Sequence, residues 1–230
     1  MKLSDIKGVF NTHALRVKSA EQLAEGFIKV ELESGGLEWL PGEHGIFTLP
    51  GKTFAGRKWR AFSIASVPDE GVVRIGTRAG NPLSGFKQTL AQMKPGDTVT
   101  LRGPFGWYKL PDDSSPVVLI AGGTGITAAR AVLTQALKQE SRMIHLVHAA
   151  SASHLYKDEL SKWRNKKLDM HFTHESEVTE SILDDLAREY GNKAYYFVSG
   201  PPKMNSAYIK RLKSKGIAKK HIIVDPYFGY

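Results

Sequence analysis

Val117 to Arg130, VVLIAGGTGITAAR, runs an apolar strand straight into a glycine turn and on into the start of a helix. Residues 117–121 are continuously apolar, as in a parallel strand buried on both faces. Gly122, Gly123 and Gly125 allow a close, side-chain-free approach to the backbone, which is what a pyrophosphate at a helix start requires. Thr124 and Thr127 add hydroxyl donors, with Ile126 between them. The spacing is neither G-x-G-x-x-G nor a P-loop ending in G-K-[ST], so the turn alone admits two readings, a phosphate loop or a purely structural connection.

Downstream of this stretch, strands and helices alternate regularly, the mark of a parallel sheet with crossover helices. Strands are expected at 117–121, 143–149, 169–173, 194–199 and 222–225. Helices are expected near 127–140, 153–164, 178–190 and 202–215, the third starting at Thr179 or Ser181 and stopped by Gly191. Upstream, short β-like runs such as 45–49, 61–65, 72–77 and 98–102 are separated by Pro and Gly turns, as in an antiparallel barrel. One helical insert at 85–93 ends in the turn Lys94-Pro95-Gly96-Asp97. The expected architecture is an N-terminal antiparallel β-barrel followed by a C-terminal α/β domain with a five-stranded parallel sheet. The polar, proline-bracketed segment from Pro111 to Pro116 divides them, giving domains 1–112 and 113–230.

The chain has 230 residues and a formal charge of +9. No apolar run approaches a membrane span, and the first residues carry charges where a signal peptide needs an apolar stretch, so a cytoplasmic protein is expected. The chain has no cysteine. It therefore holds no disulfide, no thiol nucleophile and no cysteine-ligated zinc or iron–sulfur centre, and no metal is expected. Redox chemistry would have to come from a bound organic cofactor. The basic charge suits phosphorylated ligands or an acidic protein partner. Nucleic acid is disfavoured because the barrel lacks exposed aromatics interleaved with basic residues.

Arg60-Ala61-Phe62-Ser63, at the start of a barrel strand, resembles the R-x-[YF]-[ST] motif of the ferredoxin–NADP reductase superfamily. Other stretches fall into the same pattern in the right order: Pro41-Gly42-Glu43, Gly103-Pro104-Phe105-Gly106, the 122–127 loop, and Ser199-Gly200-Pro201-Pro202-Lys203-Met204. The ending Asp225-Pro226-Tyr227-Phe228-Gly229-Tyr230 is similar to that of one bacterial branch.

The resemblance implies a flavin on the barrel, a nicotinamide nucleotide on the parallel sheet, and hydride transfer between them. Arg60 offers a planar fork of donors to a diphosphate. Ala61 and Phe62 would line the flavin, Phe62 as an apolar wall, and Ser63 would approach the flavin N5 edge. Gly76, Thr77 and Arg78 end the next cofactor strand. Ser84 and Gly85 would cap a helix while its N–H groups face the diphosphate. This second anion-binding element favours FAD, with FMN as the alternative.

On the other domain, Ser199 stands where many relatives have cysteine, and Gly200 and Pro201 shape the nicotinamide turn. Tyr227 would cover the flavin ring. The segment His148-Ala149-Ala150-Ser151-Ala152-Ser153 has no arginine for a 2′-phosphate. NADH is therefore favoured over NADPH, although His148, Ser151, Ser153 and Lys157 offer weaker phosphate contacts. Ser63, Ser199 and Tyr227 are the residues expected around the reacting atoms. The implied acceptor is a protein such as an acidic ferredoxin or flavodoxin, or a small molecule. Two other readings are a reductase module of a larger electron-transfer complex and a nucleotide-binding protein without turnover.

Overall fold

A computed structural model describes residues 5–163 and 166–226. The chain divides into two compact units between Lys109 and Leu110.

The first unit is an antiparallel sheet of six strands: β1 (Thr12–Leu23), β2 (Phe27–Glu33), β3 (His44–Thr48), β4 (Trp59–Ser63), β5 (Val72–Arg78) and β6 (Thr98–Phe105). One helix, α1 (Gly85–Ala91), packs with it. The order is β4-β3-β6-β1-β2-β5. Just beyond β4, Ala65 N–H donates to the Arg74 carbonyl of β5 at 2.8 Å. Ser66 Oγ donates to the Val72 carbonyl at 2.6 Å and accepts the Arg74 N–H at 3.0 Å. These bonds tie the two outer strands of the sheet together, so the sheet curls into a barrel with few unpaired edge groups. Leu15, Val17, Ile28, Val30, Leu32, Phe47, Phe62, Ile75, Phe86 and Leu101 fill its core.

Strands β1 and β2 extend the expected set. Phe27, Ile28, Val30 and Leu32 are buried while the charged residues between them are more exposed, which is strand periodicity with one face inward. The β1 pattern is less regular because the register slips between Val17 and Ser19. The expected turn at 94–97 is present: Asp97 Oδ2 accepts the Lys94 N–H at 2.9 Å, and the Asp97 N–H donates to the Lys94 carbonyl at 3.0 Å.

The second unit alternates strand and helix: β7 (Val117–Gly122), α2 (Ile126–Ala136), β8 (Ile144–Ala149), α3 (Lys157–Ser161), β9 (Leu168–Thr173), α4 (Ser176–Tyr190), β10 (Tyr195–Ser199), α5 (Pro202–Ser214) and β11 (Ile222–Val224). All neighbours in the order β11-β10-β7-β8-β9 are parallel. Every residue of the central strand β7 is buried, as its unbroken apolar run requires. The polar segment before it is pinned rather than loose. Asp112 accepts from the Ser114 and Ser115 backbones and from Ser115 Oγ, and the fully buried Arg142 donates to the Ser115 and Asp112 carbonyls.

Two helices differ from expectation. Helix α3 covers only five residues of the expected 153–164, because Tyr156 at its entry holds a left-handed φ of 65° that the helix cannot include. Helix α4 starts at Ser176, before Thr179 and Ser181. Thr179 is already inside it, its hydroxyl bonded to the Glu175 carbonyl at 2.9 Å and to Thr173 Oγ1 at 2.6 Å.

Candidate functional site

In the second unit the chain starts at β7, steps outward through β8 and β9, then returns to the other side of β7 with β10 and β11. The strand order therefore reverses between β7 and β10. In open parallel sheets the crevice at the carboxyl ends of two such strands is where nucleotides bind. The two loops leaving these strands are 122–125 and 199–201, the same residues singled out from the sequence. Neither helix that follows is capped by a side chain at its N-cap residue, Gly125 for α2 and Pro201 for α5. The N–H of Ile126, the first residue of α2, donates to the Gly123 carbonyl of the preceding turn.

The glycines serve different purposes. A Cβ on Gly125 would lie 2.1 Å from the Ser199 carbonyl oxygen and 2.8 Å from the Gly200 nitrogen. On Gly122 it would lie 2.1 Å from Met204 Sδ. These two positions therefore pack the loops against each other, which corrects the view that all three glycines clear space for a ligand. Gly123 faces open space and holds a φ of 51°, so it alone of the three combines an open approach with a backbone that favours glycine. Thr124 is half-buried. Thr127 is a second correction: its hydroxyl donates to the Thr124 carbonyl at 2.8 Å and so braces the loop from inside. Ile126 is fully buried, and its N–H closes the loop on the Gly123 carbonyl.

Ser199 is buried at the end of β10, and its hydroxyl donates to Asp225 Oδ2 at 2.8 Å, with Asp225 also buried. Parallel pairing of β10 with β11 brings the two together. Gly200 is buried and Pro201 exposed. Tyr227 lies outside the described residues.

His148 is not a surface contact for a ribose phosphate. It is fully buried beneath the phosphate-type loop, with Nε2 donating to the Gly123 carbonyl at 2.9 Å. Burial lowers its pKa to about 3, so the ring is neutral. His154 packs on it edge-to-face at 4.8 Å. Ser151 is exposed, Ser153 half-buried and Lys157 exposed just after β8, with the Lys157 ammonium 5.5 Å from the centre of the Phe172 ring.

In the first unit, Arg60 is half-buried near the start of β4. Its Nη1 donates to the Trp59 carbonyl at 2.9 Å and to the Arg57 carbonyl at 3.3 Å, and its guanidinium carbon lies 5.6 Å from the centre of the Phe86 ring. Phe62 corrects the expectation of an apolar wall. It is 5% exposed and turned into the barrel core, its ring 5.7 Å from Phe47 and 6.1 Å from Phe86. Strand alternation puts Ala61 and Ser63, both half-buried, on the opposite face.

Gly76 and Thr77 are buried at the end of β5, and Arg78 is exposed. Ser84 caps α1 by accepting the Lys87 N–H at 3.5 Å. A Cβ on Gly85 would lie 2.7 Å from the Ala55 carbonyl oxygen, so glycine there admits the crossing of the 54–55 backbone. Helix α1 has seven residues, too short for its dipole to carry an anion site by itself. Lys87, which sequence reasoning missed, is 7% exposed and donates from Nζ to the Arg78 carbonyl at 2.8 Å. Burial and the nearby Arg60 lower its pKa to about 8. A lysine three positions after an N-cap serine was the available signal.

Residues 119–210 match the model of the oxidoreductase NAD-binding domain. The whole chain has the fold of the ferredoxin–NADP reductases. The enzyme from Neisseria gonorrhoeae, solved with bound FAD and NADP, superposes with a TM-score of 0.77 at 15% identity, over 93% of this chain and 97% of that one. One component of the Na(+)-translocating NADH-quinone reductase of Actinobacillus succinogenes is 27% identical over 199 residues, 74% of this chain and 49% of that protein. The toluate 1,2-dioxygenase electron transfer component of Pseudomonas putida is 27% identical over 230 residues, 92% of this chain and 66% of that protein. The chain thus spans about half the length of the first of these two relatives.

The residues present fit the two nucleotides such a domain pairing uses. The second unit presents the open Gly123 backbone at the strand-order reversal. The first unit presents Arg60 and Lys87, the charge of the former contributing to the lowered pKa of the latter. A diphosphate suits that donor set. Among the described residues no His, Asp or Glu cluster suits a metal ion, and no helix is long and apolar enough to cross a membrane.

Proposed function

We propose that this chain is an NAD(P)H-dependent flavoprotein reductase that holds FAD on residues 1–112 and the nicotinamide nucleotide on residues 113–230. The observation that carries the reading is the position of the loops 122–125 and 199–201 at the carboxyl ends of β7 and β10, where the strand order reverses. Bound flavin would supply the chemistry of accepting hydride and releasing electrons one or two at a time.

The chain's own residues bind and orient. The Gly123 backbone and the α2 N-terminus receive the nucleotide pyrophosphate. Arg60 and the α1 region hold the flavin diphosphate, and Ser63, with Gly76, Thr77 and Arg78, sets the flavin's placement. Ser199, fixed by Asp225, presents a small oxygen toward the nicotinamide. NADH is the preferred donor, because the 150–153 segment after β8 has no arginine.

Electrons pass to a partner protein in the cytoplasm. The net charge of +9 supports an acidic acceptor such as a ferredoxin or flavodoxin. A second form of the same reading is a reductase module within a larger electron-transfer assembly, the setting named for two of its relatives.

An anaerobic visible spectrum of the purified protein, before and after NADH and separately NADPH, tests the proposal. Flavin absorbance bleached faster by NADH is expected. Absence of flavin after reconstitution with FAD or FMN overturns the enzyme reading and leaves a nucleotide-binding protein.

A further inference from the structure

His148 holds one peptide of the 122–125 loop from beneath. Its Nε2–H donates to the Gly123 carbonyl at 2.9 Å, and the Ile126 N–H donates to the same oxygen from the end of the turn. The Gly123–Thr124 peptide is trans, so its C=O and N–H point in opposite directions. A carbonyl turned onto a fully buried ring therefore sends the Thr124 N–H away from that ring. Gly123 and Thr124 are the two residues of 121–130 that are not buried, which makes this peptide the part of the loop that a ligand reaches. Glycine has little preference of its own between the two orientations of such a peptide, and Gly123 has open space beside it. The hold must come from a neighbour, and His148 supplies it.

The ring is itself well fixed. Strand β8 pairs His148 with Ala121 of β7 and Phe172 of β9, and His154 meets the ring edge-to-face at 4.8 Å. His154 Nε2 lies 3.1 Å from the His148 carbonyl and 3.1 Å from that of Thr173, tying the ends of β8 and β9 together. A neutral imidazole has one N–H, and here it is spent on Gly123. Nδ1 is left buried with no hydrogen-bond partner among the described residues. A buried acceptor without a donor costs stability that an apolar ring of similar size would not. What histidine offers over phenylalanine at this position is the N–H aimed at the loop.

We propose that His148 is a positioning residue of the nucleotide site, which turns the Gly123–Thr124 peptide so that the Thr124 N–H faces the pyrophosphate of a bound dinucleotide. The assignment rests on the nucleotide-binding reading of this loop given above. His148 touches no ligand and acts through one backbone donor. A role confined to filling the space beneath the loop would leave that donor and its ligand unchanged.

Calorimetric titration of the full-length protein with NADH and with ADP-ribose, together with the NMR signal of the Thr124 amide during the ADP-ribose titration, separates these roles. His148→Phe keeps a ring and removes the donor, and His148→Met serves as a second variant should the first fail to fold. His148→Gln returns an N–H to the Gly123 carbonyl. The expected result is a loss of about 10-fold in affinity for both ligands in His148→Phe, with His148→Gln within about threefold of the parent. The Thr124 amide proton moves downfield as ADP-ribose saturates the parent, and that displacement collapses in His148→Phe. A His148→Phe protein that unfolds at lower urea yet binds both ligands as the parent does overturns the proposal, as do equal losses in His148→Phe and His148→Gln. A parent that binds ADP-ribose without moving the Thr124 amide overturns it with no variant needed. A parent that binds neither NADH nor ADP-ribose overturns the nucleotide-binding reading itself, before any variant is compared.

Discussion

The hydroxyl of Ser199 donates to Oδ2 of Asp225 at 2.8 Å, and both side chains are buried where β10 and β11 end. A carboxylate removed from water depends on each donor it has. Ser199→Ala is therefore expected to cost about 1–3 kcal/mol of stability by urea unfolding, whereas Asp225→Asn, which leaves an amide oxygen to accept the hydroxyl, costs less. If Ser199 serves only as a small polar surface near the nucleotide, with no structural tie, Ser199→Ala will unfold at the parent urea concentration.

Gly125 and Gly123 stand two residues apart in one loop and make opposite demands. Alanine at 125 drives its methyl into the Ser199 carbonyl from 2.1 Å, with backbone on both sides and no flexible side chain to yield. The loop or the β10 end must move, at about 1–3 kcal/mol. Alanine at 123 meets open space and costs only about 1 kcal/mol for its left-handed φ. Nucleotide binding, followed by titration with NADH, is expected to fall more than about tenfold in Gly125→Ala and much less in Gly123→Ala. The reverse order would mean that the ligand, and not the neighbouring loop, occupies the space over Gly125.

How far the sequence could be read follows from how local each signal is. The parallel sheet was legible because strands buried on both faces leave continuous apolar runs, of which 117–122 is the clearest. Strand β1 was not, since its register slips between Val17 and Ser19 and few of its residues are fully buried. The glycine loop was legible as a motif, but the purpose of Gly125 was not, because it depends on Ser199, a residue 74 positions away that reaches it only through the pairing of β7 with β10. Phe62 was read from its neighbours in a motif, while its direction was set by strand parity against Phe47 and Phe86. Lys87 escaped notice because its place three residues after the N-cap Ser84 marks a helix start, while its burial goes with a bond to the Arg78 carbonyl at the end of β5.

The coenzyme preference is open to a gain-of-function test at the end of β8. Ser151 is exposed in the segment that follows, and Lys157 is exposed at the start of α3, so a single planar donor would complete a phosphate-binding pair. Ser151→Arg is expected to raise kcat/KM for NADPH relative to NADH by about tenfold, chiefly through KM. An unchanged ratio would place the adenosine ribose away from this segment.

Acid should weaken the two units through different histidines. Burial and the Lys109 charge lower the pKa of His44, in the barrel, to about 4, and burial lowers that of His148, beneath the Gly123 loop, to about 3. Both lie below the unfolded value of 6.5, so on acidification the unfolded chain takes up protons that the folded chain refuses. Their stabilising contribution is complete above pH 6.5 and declines as pH falls toward the folded values, at about 1.4 kcal/mol per pH unit for each ring. Between pH 6.5 and pH 5 each histidine should remove about 2 kcal/mol. His148→Gln keeps an N–H for the Gly123 carbonyl and removes the titration, so the second unit of this variant should lose about 2 kcal/mol less than the parent over that interval. Urea unfolding followed by circular dichroism at the two pH values measures the difference. Identical pH dependence in parent and variant would show that His148 is protonated as readily in the folded domain as in the unfolded chain.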